Sequence, residues 1–291
     1  MDADDSKKVA VWVSQHLIFV LLAVFLIIPV VTFLIGSAAI LAYIFWPINY
    51  SDMTMPSINR DTENIVVLAH GLNDDPSSWS NALKESFELR PTRDQVIALD
   101  WNPYSRNTLR CSVDGKRIGT ALGHRMAESS QLRSAHLIGH SCGAFVILGF
   151  CEALKTARGD IQVQSTYLAP VSIYGGIFWN YGTTHFGSCA DFSDAYIDHE
   201  DTIGASKHAP HNSHAFDVTA ARKSSGNSLS PHLWPPVYYL KLVVSNKYPS
   251  LRKNVFLPAP FPLEVLENVI DTPSTGTRPE NNASAYPRET Q

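Results

Sequence analysis

The stretch Ala135-His136-Leu137-Ile138-Gly139-His140-Ser141-Cys142-Gly143-Ala144 governs the reading of the whole chain. It begins as an apolar strand and runs directly into Gly139-His140-Ser141-Cys142-Gly143, a G-x-S-x-G pattern. Residues 142–157, rich in Ala, Leu and Phe, are expected to form a helix immediately afterwards. A sharp strand-to-helix turn forces the serine backbone into a strained conformation, and small flanking residues avoid clashes there. The turn lifts the Ser141 hydroxyl above the sheet edge. It also aims the first amides of the helix, at its positive dipole end, toward a carbonyl that the hydroxyl could attack. Ser141 is therefore the expected nucleophile. Without the strand before and the helix after, the same five residues would be an ordinary turn.

The alternation of strand and helix extends in both directions. Residues 65–69 are a β-branched run ending at His70-Gly71, and residues 76–87 carry Trp79, Leu83 and Phe87 at fourfold spacing with Pro76 in the first turn. Strands are expected at 95–101, 135–139, 164–169 and 195–198, and helices at 116–129 and 237–244. This order predicts an α/β fold with a mainly parallel sheet covered by helices on both faces.

The chain of 291 residues is 45% hydrophobic and carries 23 basic against 27 acidic side chains. That length suits one domain with appendages, and the charge balance gives no case for nucleic-acid binding. The apolar surplus lies at the N-terminus, where residues 17–46 contain no Asp, Glu, Lys or Arg. About 20 apolar residues span a bilayer, whereas a secretory core holds only about 7–15. One transmembrane helix, tilted or kinked at Pro29, is expected. The alternative is a cleaved signal peptide, for which Ser37, Ala38 and Ala39 supply small residues. Lys7 and Lys8 favour a cytoplasmic N-terminus with the remainder outside. The expected layout is a stub at 1–16, an anchor at 17–46, a linker at 47–61, a folded domain at 62–270 and a disordered tail at 271–291.

The cysteines leave the compartment open. Cys142 and Cys151 lie nine residues apart on one expected helix, about half a turn out of phase, and cannot bond each other there. Cys111 with Cys189 is then the natural pair; buried free thiols are the equal alternative.

A serine needs a histidine base and an acid that orients it. His232 lies in Ser230-Pro231-His232-Leu233-Trp234, a late loop just before the last expected helix, and is the favoured base. His208, His211 and His214 are the competitors and could instead bind metal, although Pro210 argues against a preformed helical ligand face. Asp201, at the head of a loop after the 195–198 strand, is the favoured acid, followed by Asp198. The backbone amides of Leu72, in the loop after the first strand, and of Cys142 are the expected oxyanion donors.

The strings Val67-Leu68-Ala69-His70-Gly71, Val96-Ile97-Ala98-Leu99-Asp100-Trp101 and Ile138-Gly139-His140-Ser141-Cys142-Gly143-Ala144 follow one another as in lipases of the α/β-hydrolase superfamily related to pancreatic and lipoprotein lipase. Residues 116–119 fit the helix which that family places before its nucleophile strand. The resemblance covers about residues 63–157. Farther on, Asp201-Thr202-Ile203-Gly204, residues 216–221 and Pro231-His232-Leu233-Trp234-Pro235 look like a bacterial branch. The animal enzymes carry their acid in an Asp-Pro after the strand that follows the nucleophile helix. Here that position reads Leu168-Ala169-Pro170, so the resemblance implies an acid one strand later, at Asp201.

The expected function is a carboxylic-ester hydrolase acting on lipid or other apolar acyl esters through Ser141, His232 and Asp201, with no metal or cofactor. The aromatic segment 171–192 would line an acyl pocket, form a lid, or simply be a core strand with its loop. The alternatives are a catalytically silent membrane-tethered scaffold, and a thioesterase or acyltransferase using the same serine.

Overall fold

A computed structural model of the chain describes residues 3–47, 49–90, 94–226 and 228–250. The chain divides into two units, Met1–Ile48 and Asn49–Gln291. In the first, helix α1 (Ala3–Leu22) and helix α2 (Ile28–Phe45) are joined by a π-helical turn, Ala23–Ile27. Pro29 explains that turn. Its ring would clash with the carbonyl four residues back and it has no N–H to donate, so the preceding turn widens by a residue instead of breaking. The helix from Asp4 to Phe45 is long and apolar enough to cross a membrane, a test that an N-terminal signal sequence also passes. It starts ahead of the uncharged run, and its first turns close with a Lys8–Asp4 ion pair of 2.7 Å.

The second unit is built on six parallel strands in the order β2-β1-β3-β4-β5-β6. These are β1 (Asn64–Ala69), β2 (Asp94–Leu99), β3 (Ser134–His140), β4 (Gln162–Leu168), β5 (Phe192–Ile197) and β6 (His214–Asp217). The helices between and after them are α3 (Ser80–Glu88), α4 (Cys111–Ala127), α5 (Gly143–Ala157), α6 (Tyr181–His185), α7 (Thr219–Ser224) and α8 (Trp234–Val244). A parallel strand reaches its neighbour only by a crossover, and the crossovers lay helices on both faces. One face packs Ile118 and Leu122 of α4 and Phe145 and Phe150 of α5 against the sheet. The other packs Leu83 and Phe87 of α3 and Tyr239 and Leu242 of α8. In β1 the five residues from Ile65 to Ala69 are all buried. Each large apolar side chain so covered contributes about 1.5–3 kcal/mol. The expected parallel sheet with helices on both faces is borne out.

Helices α4 and α5 meet almost backbone to backbone. A Cβ on Gly119 would stand 1.9 Å from the Val146 carbonyl oxygen, and one on Gly149 would stand 2.0 Å from that of Lys116. This closeness corrects the cysteine pairing. Side-by-side helices bring their N-termini together, so Cys111 bonds Cys142 and not Cys189; Cys189 bonds Cys151 instead. In both bridges the Cα atoms are 6.0 Å apart, an ordinary disulfide span.

Helix α4 also begins five residues ahead of the expected 116. Arg110 makes two 2.9 Å hydrogen bonds to Asp114, and this buried fork closes the first turn without a recognisable capping residue. Strand β6 escaped the reading because it is four residues long and polar at both ends. Tyr50, Met53, Met55 and Ile58, in the stretch expected as linker, pack against the α4–α5 core. The expected tail at 271–291, with residues 251–270 of the expected domain, lies outside the described residues.

Gly119→Ala forces a Cβ into the Val146 carbonyl. We expect the full chain in detergent to lose about 1–3 kcal/mol of stability in urea unfolding. An unchanged midpoint would contradict the backbone contact between α4 and α5.

Candidate active site

Strand β3 ends at His140 and α5 begins at Gly143, leaving Ser141 and Cys142 to make the turn. Ser141 has φ 53°, in the left-handed region that L-residues rarely occupy. Its amide donates to the Leu168 carbonyl (3.1 Å), and its own carbonyl accepts from the amides of Ala144 (3.1 Å) and Val171 (3.3 Å). Three glycines make room for this turn. A Cβ on Gly139 would lie 2.6 Å from the Gly143 carbonyl oxygen, and one on Gly143 would lie 2.2 Å from that of Ala69. A Cβ on Gly71 would meet the Ser141 Cβ at 2.9 Å and its Oγ at 3.4 Å. The His70-Gly71-Leu72 loop thus lies directly against the serine. Strain of this kind costs on the order of 1–3 kcal/mol and persists only where the surroundings enforce it.

Asp201 and His232, thirty-one positions apart, are in contact. His232 Nδ1 and Asp201 Oδ2 are 2.6 Å apart, and both side chains are buried. The same Oδ2 accepts from the Ser206 hydroxyl, and Oδ1 accepts from the Ile203 amide at 3.0 Å. Burial pushes the Asp201 carboxyl up, but hydrogen bonding to His232 and the charge of its imidazole outweigh it. With Ser206 and Ile203 they hold the group below its ordinary value. A carboxylate so placed keeps the Nδ1 proton on the imidazole and leaves Nε2 as its basic nitrogen. Asp198, the second candidate acid, is engaged elsewhere. Its Oδ2 lies 2.6 Å from Arg222 Nε, and its Oδ1 accepts from the Thr219 hydroxyl and the Glu200 amide.

Leu72 and Cys142 flank Gly71 and Ser141. Among the described residues neither amide donates to another group. The His70 imidazole serves the loop's shape: Nδ1 lies 3.0 Å from the Gly71 carbonyl oxygen, and Nε2 accepts from the Trp101 amide at 3.4 Å. His140 joins the two halves of the site. Its Nε2 lies 3.0 Å from the carbonyl oxygen of His232.

Of the competing histidines, His214 heads β6 and stacks on Phe192, and the amides of His211 and His208 donate to the carbonyls of Thr183 and Ala205. The aromatic segment divides into two parts. Tyr174 and Tyr181 pack on Phe145, whereas Ile177, Phe178 and Trp179 are exposed at the loop tip. Ser206 and His140 were missed by sequence reasoning. No local pattern marks Ser206, five residues beyond the acid. His140 fills an unspecified position of G-x-S-x-G, where its residue type was the only signal.

No protein-family model matches the chain, and no curated protein matches it either. Among solved structures, it is similar to a lipase-esterase related protein from Clostridium acetobutylicum ATCC 824, with a TM-score of 0.43 and 10% identity. That similarity covers 65% of this chain and 94% of the other. It is also similar to a protein from Lactobacillus plantarum WCFS1 provisionally described as a cell surface hydrolase, with a TM-score of 0.45 and 11% identity. Here 72% of this chain and 96% of the other are covered. Both are distant in sequence and loose in superposition.

The depressed Asp201 pKa has a consequence for stability. A carboxyl held low in the folded state stabilises it above the ordinary carboxylate range, and that increment is lost as pH falls through the folded value. The gap in melting temperature between the wild type and Asp201→Asn should therefore be widest near neutrality and narrow on acidification. A gap independent of pH would contradict the His232–Asp201 interaction.

Proposed function

We propose that this chain is a membrane-anchored serine hydrolase that cleaves carboxylic esters of apolar acyl groups. Supporting this reading are a serine held at positive φ on a strand-to-helix turn, a buried His232–Asp201 pair with a 2.6 Å contact, and the 3.0 Å approach of His140, the residue before the serine, to the His232 carbonyl oxygen.

In the proposed route Ser141 Oγ attacks the ester carbonyl while His232 Nε2 takes its proton. Asp201 holds the Nδ1 proton and stabilises the imidazolium that forms. The amides of Leu72 and Cys142 receive the negative oxygen of the tetrahedral intermediate; one such donor is typically worth about 10²–10³ in rate. Collapse expels the alcohol, which takes the proton from His232. Water, deprotonated by the same imidazole, then attacks the acyl-enzyme and releases the acid and the serine. The route needs no metal or cofactor, and the alcohol and acid account for every atom of ester and water.

Several features support an apolar substrate. Ile203 follows Asp201 by two residues and Leu233 follows His232 directly, and both are exposed, as are Ile177, Phe178 and Trp179. The acid follows β5 and not β4, which supports kinship with the bacterial branch of the lipase-like proteins over the animal enzymes. We place the N-terminus in the cytoplasm, on Lys7 and Lys8, and the hydrolase unit on the outer side. Two disulfides support that side, because they persist in oxidising compartments.

Ser141→Ala should abolish both labelling by a fluorophosphonate and turnover of p-nitrophenyl esters while leaving the melting temperature near that of the wild type; persistent labelling would assign another nucleophile. Asp201→Asn should lower turnover by about 10⁴ through loss of the correct tautomer. Normal rates in that variant would remove Asp201 from the mechanism.

A further inference from the structure

We propose that His140 is a positioning residue for the reaction assigned above: its imidazole fixes the main chain of His232 relative to the nucleophile turn. The proposal rests on the serine-hydrolase reading of the site.

The geometry has three parts. His140 is the last residue of β3 and the immediate neighbour of Ser141, so its backbone moves with the nucleophile. Its Nε2 lies 3.0 Å from the carbonyl oxygen of His232, ninety-two positions later, and the two rings lie 4.9 Å apart, tilted by 46°. A carbonyl only accepts, so Nε2 must carry the proton and donate it. The third part is what surrounds the ring. It is 3% exposed, meets Trp79 edge-on at 6.2 Å, and lies beside Gly71, where a Cβ would come within 3.2 Å of Nδ1. The imidazole therefore touches the loop of the proposed oxyanion donor on one side and the loop of the proposed base on the other.

Such a bridge must not acquire charge during turnover. Burial, followed by repulsion from the neighbouring His232 charge, pushes His140 down to about 3. Coulombic attraction to Asp201 and the hydrogen bond to the His232 carbonyl work in the other direction without reversing the shift. His140 thus stays neutral while His232 gains and loses its proton. Its Nδ1 has no hydrogen-bond partner among the described residues. A buried ring nitrogen left unsatisfied is costly, and a purely structural filler at this position would not require one. A leucine or methionine would fill the space between Trp79 and Gly71 without that cost. What the imidazole adds is a donor at Nε2, at the reach needed to meet the His232 carbonyl.

The sequence context fits this role. His232 sits in a loop between Pro231 and α8, and hydrogen bonds outside regular structure are what can hold it. Asp201 fixes the imidazole end of His232 and His140 fixes the carbonyl end. Together they constrain both ends of the residue. Displacement of a general base by even about 1 Å costs on the order of 10²-fold in rate.

The test uses the full chain in detergent and three variants. His140→Leu keeps the volume and removes the donor. His140→Gln places an amide N–H near the Nε2 position, and His140→Asn has an amide too short to reach the His232 carbonyl. Rates of fluorophosphonate labelling at Ser141 are measured beside kcat and KM for p-nitrophenyl butyrate. The wild type and Ser141→Ala come first: a wild type that does not label defeats the serine-hydrolase reading itself and this proposal with it. If the wild type labels, His140→Leu and His140→Asn should each lose about 10–100-fold in kcat and in labelling rate with KM within about threefold of the wild type. His140→Gln should recover most of that loss. If His140→Leu does not fold, the comparison of Gln with Asn decides. Equal rates in all variants that fold, or a loss carried by KM alone, would overturn the positioning role while leaving the nucleophile assignment intact. A loss that Gln does not recover would overturn it too, because the donor would then not be what matters.

Discussion

The turn at Ser141 can hold its left-handed backbone only because Gly143 puts no side chain between α5 and the end of β1. A methyl group there would collide with the Ala69 carbonyl oxygen at 2.2 Å and with that of His70 at 2.6 Å. Moving α5 away to relieve the collision would carry Cys142 and its amide away from the His70-Gly71-Leu72 loop. The same contact therefore sets the serine's conformation, the direction of the helix and the separation of the two amides. Gly119 and Gly149 secure α5 from its other side, and the Cys111–Cys142 bridge ties its start to α4. Small residues at backbone contacts thus place the turn that carries Ser141.

Much of the sheet could be read from the sequence because its strands are buried on both faces. Runs such as Ile65-Val66-Val67-Leu68-Ala69 show as continuous apolar segments between glycine-bearing loops, and β1 through β5 were each anticipated. Strand β6 was not, since its two end residues face partly outward and its burial comes from the neighbouring β5. The start of α4 was hidden for a different reason. Its first turn depends on the Arg110–Asp114 fork, an interaction between two charged residues that normally mark a solvated surface. The cysteine pairing was out of reach for the same class of reason: it follows from which helices lie side by side.

The site was legible to the degree that its parts are local. Ser141 and the glycines around it form one continuous motif, and the strained backbone expected of that motif is found as a left-handed φ. His232 and Asp201 are separated in sequence, and chain order narrowed them without deciding between Asp201 and Asp198. The structure separates the two carboxylates by their partners, an imidazole for one and a guanidinium for the other. The contribution of Ser206 to Asp201 depends on a short loop returning upon itself, a feature that composition does not announce.

In the proposed reaction Ser141 performs the attack and the amides of Leu72 and Cys142 receive the resulting oxygen. An experimental structure of the protein after reaction with a fluorophosphonate tests both at once. Phosphorus bonded to Ser141 Oγ is expected, with a phosphonyl oxygen within hydrogen-bonding distance of both amides. Phosphorus on any other side chain, or an oxygen turned away from both amides, would contradict it.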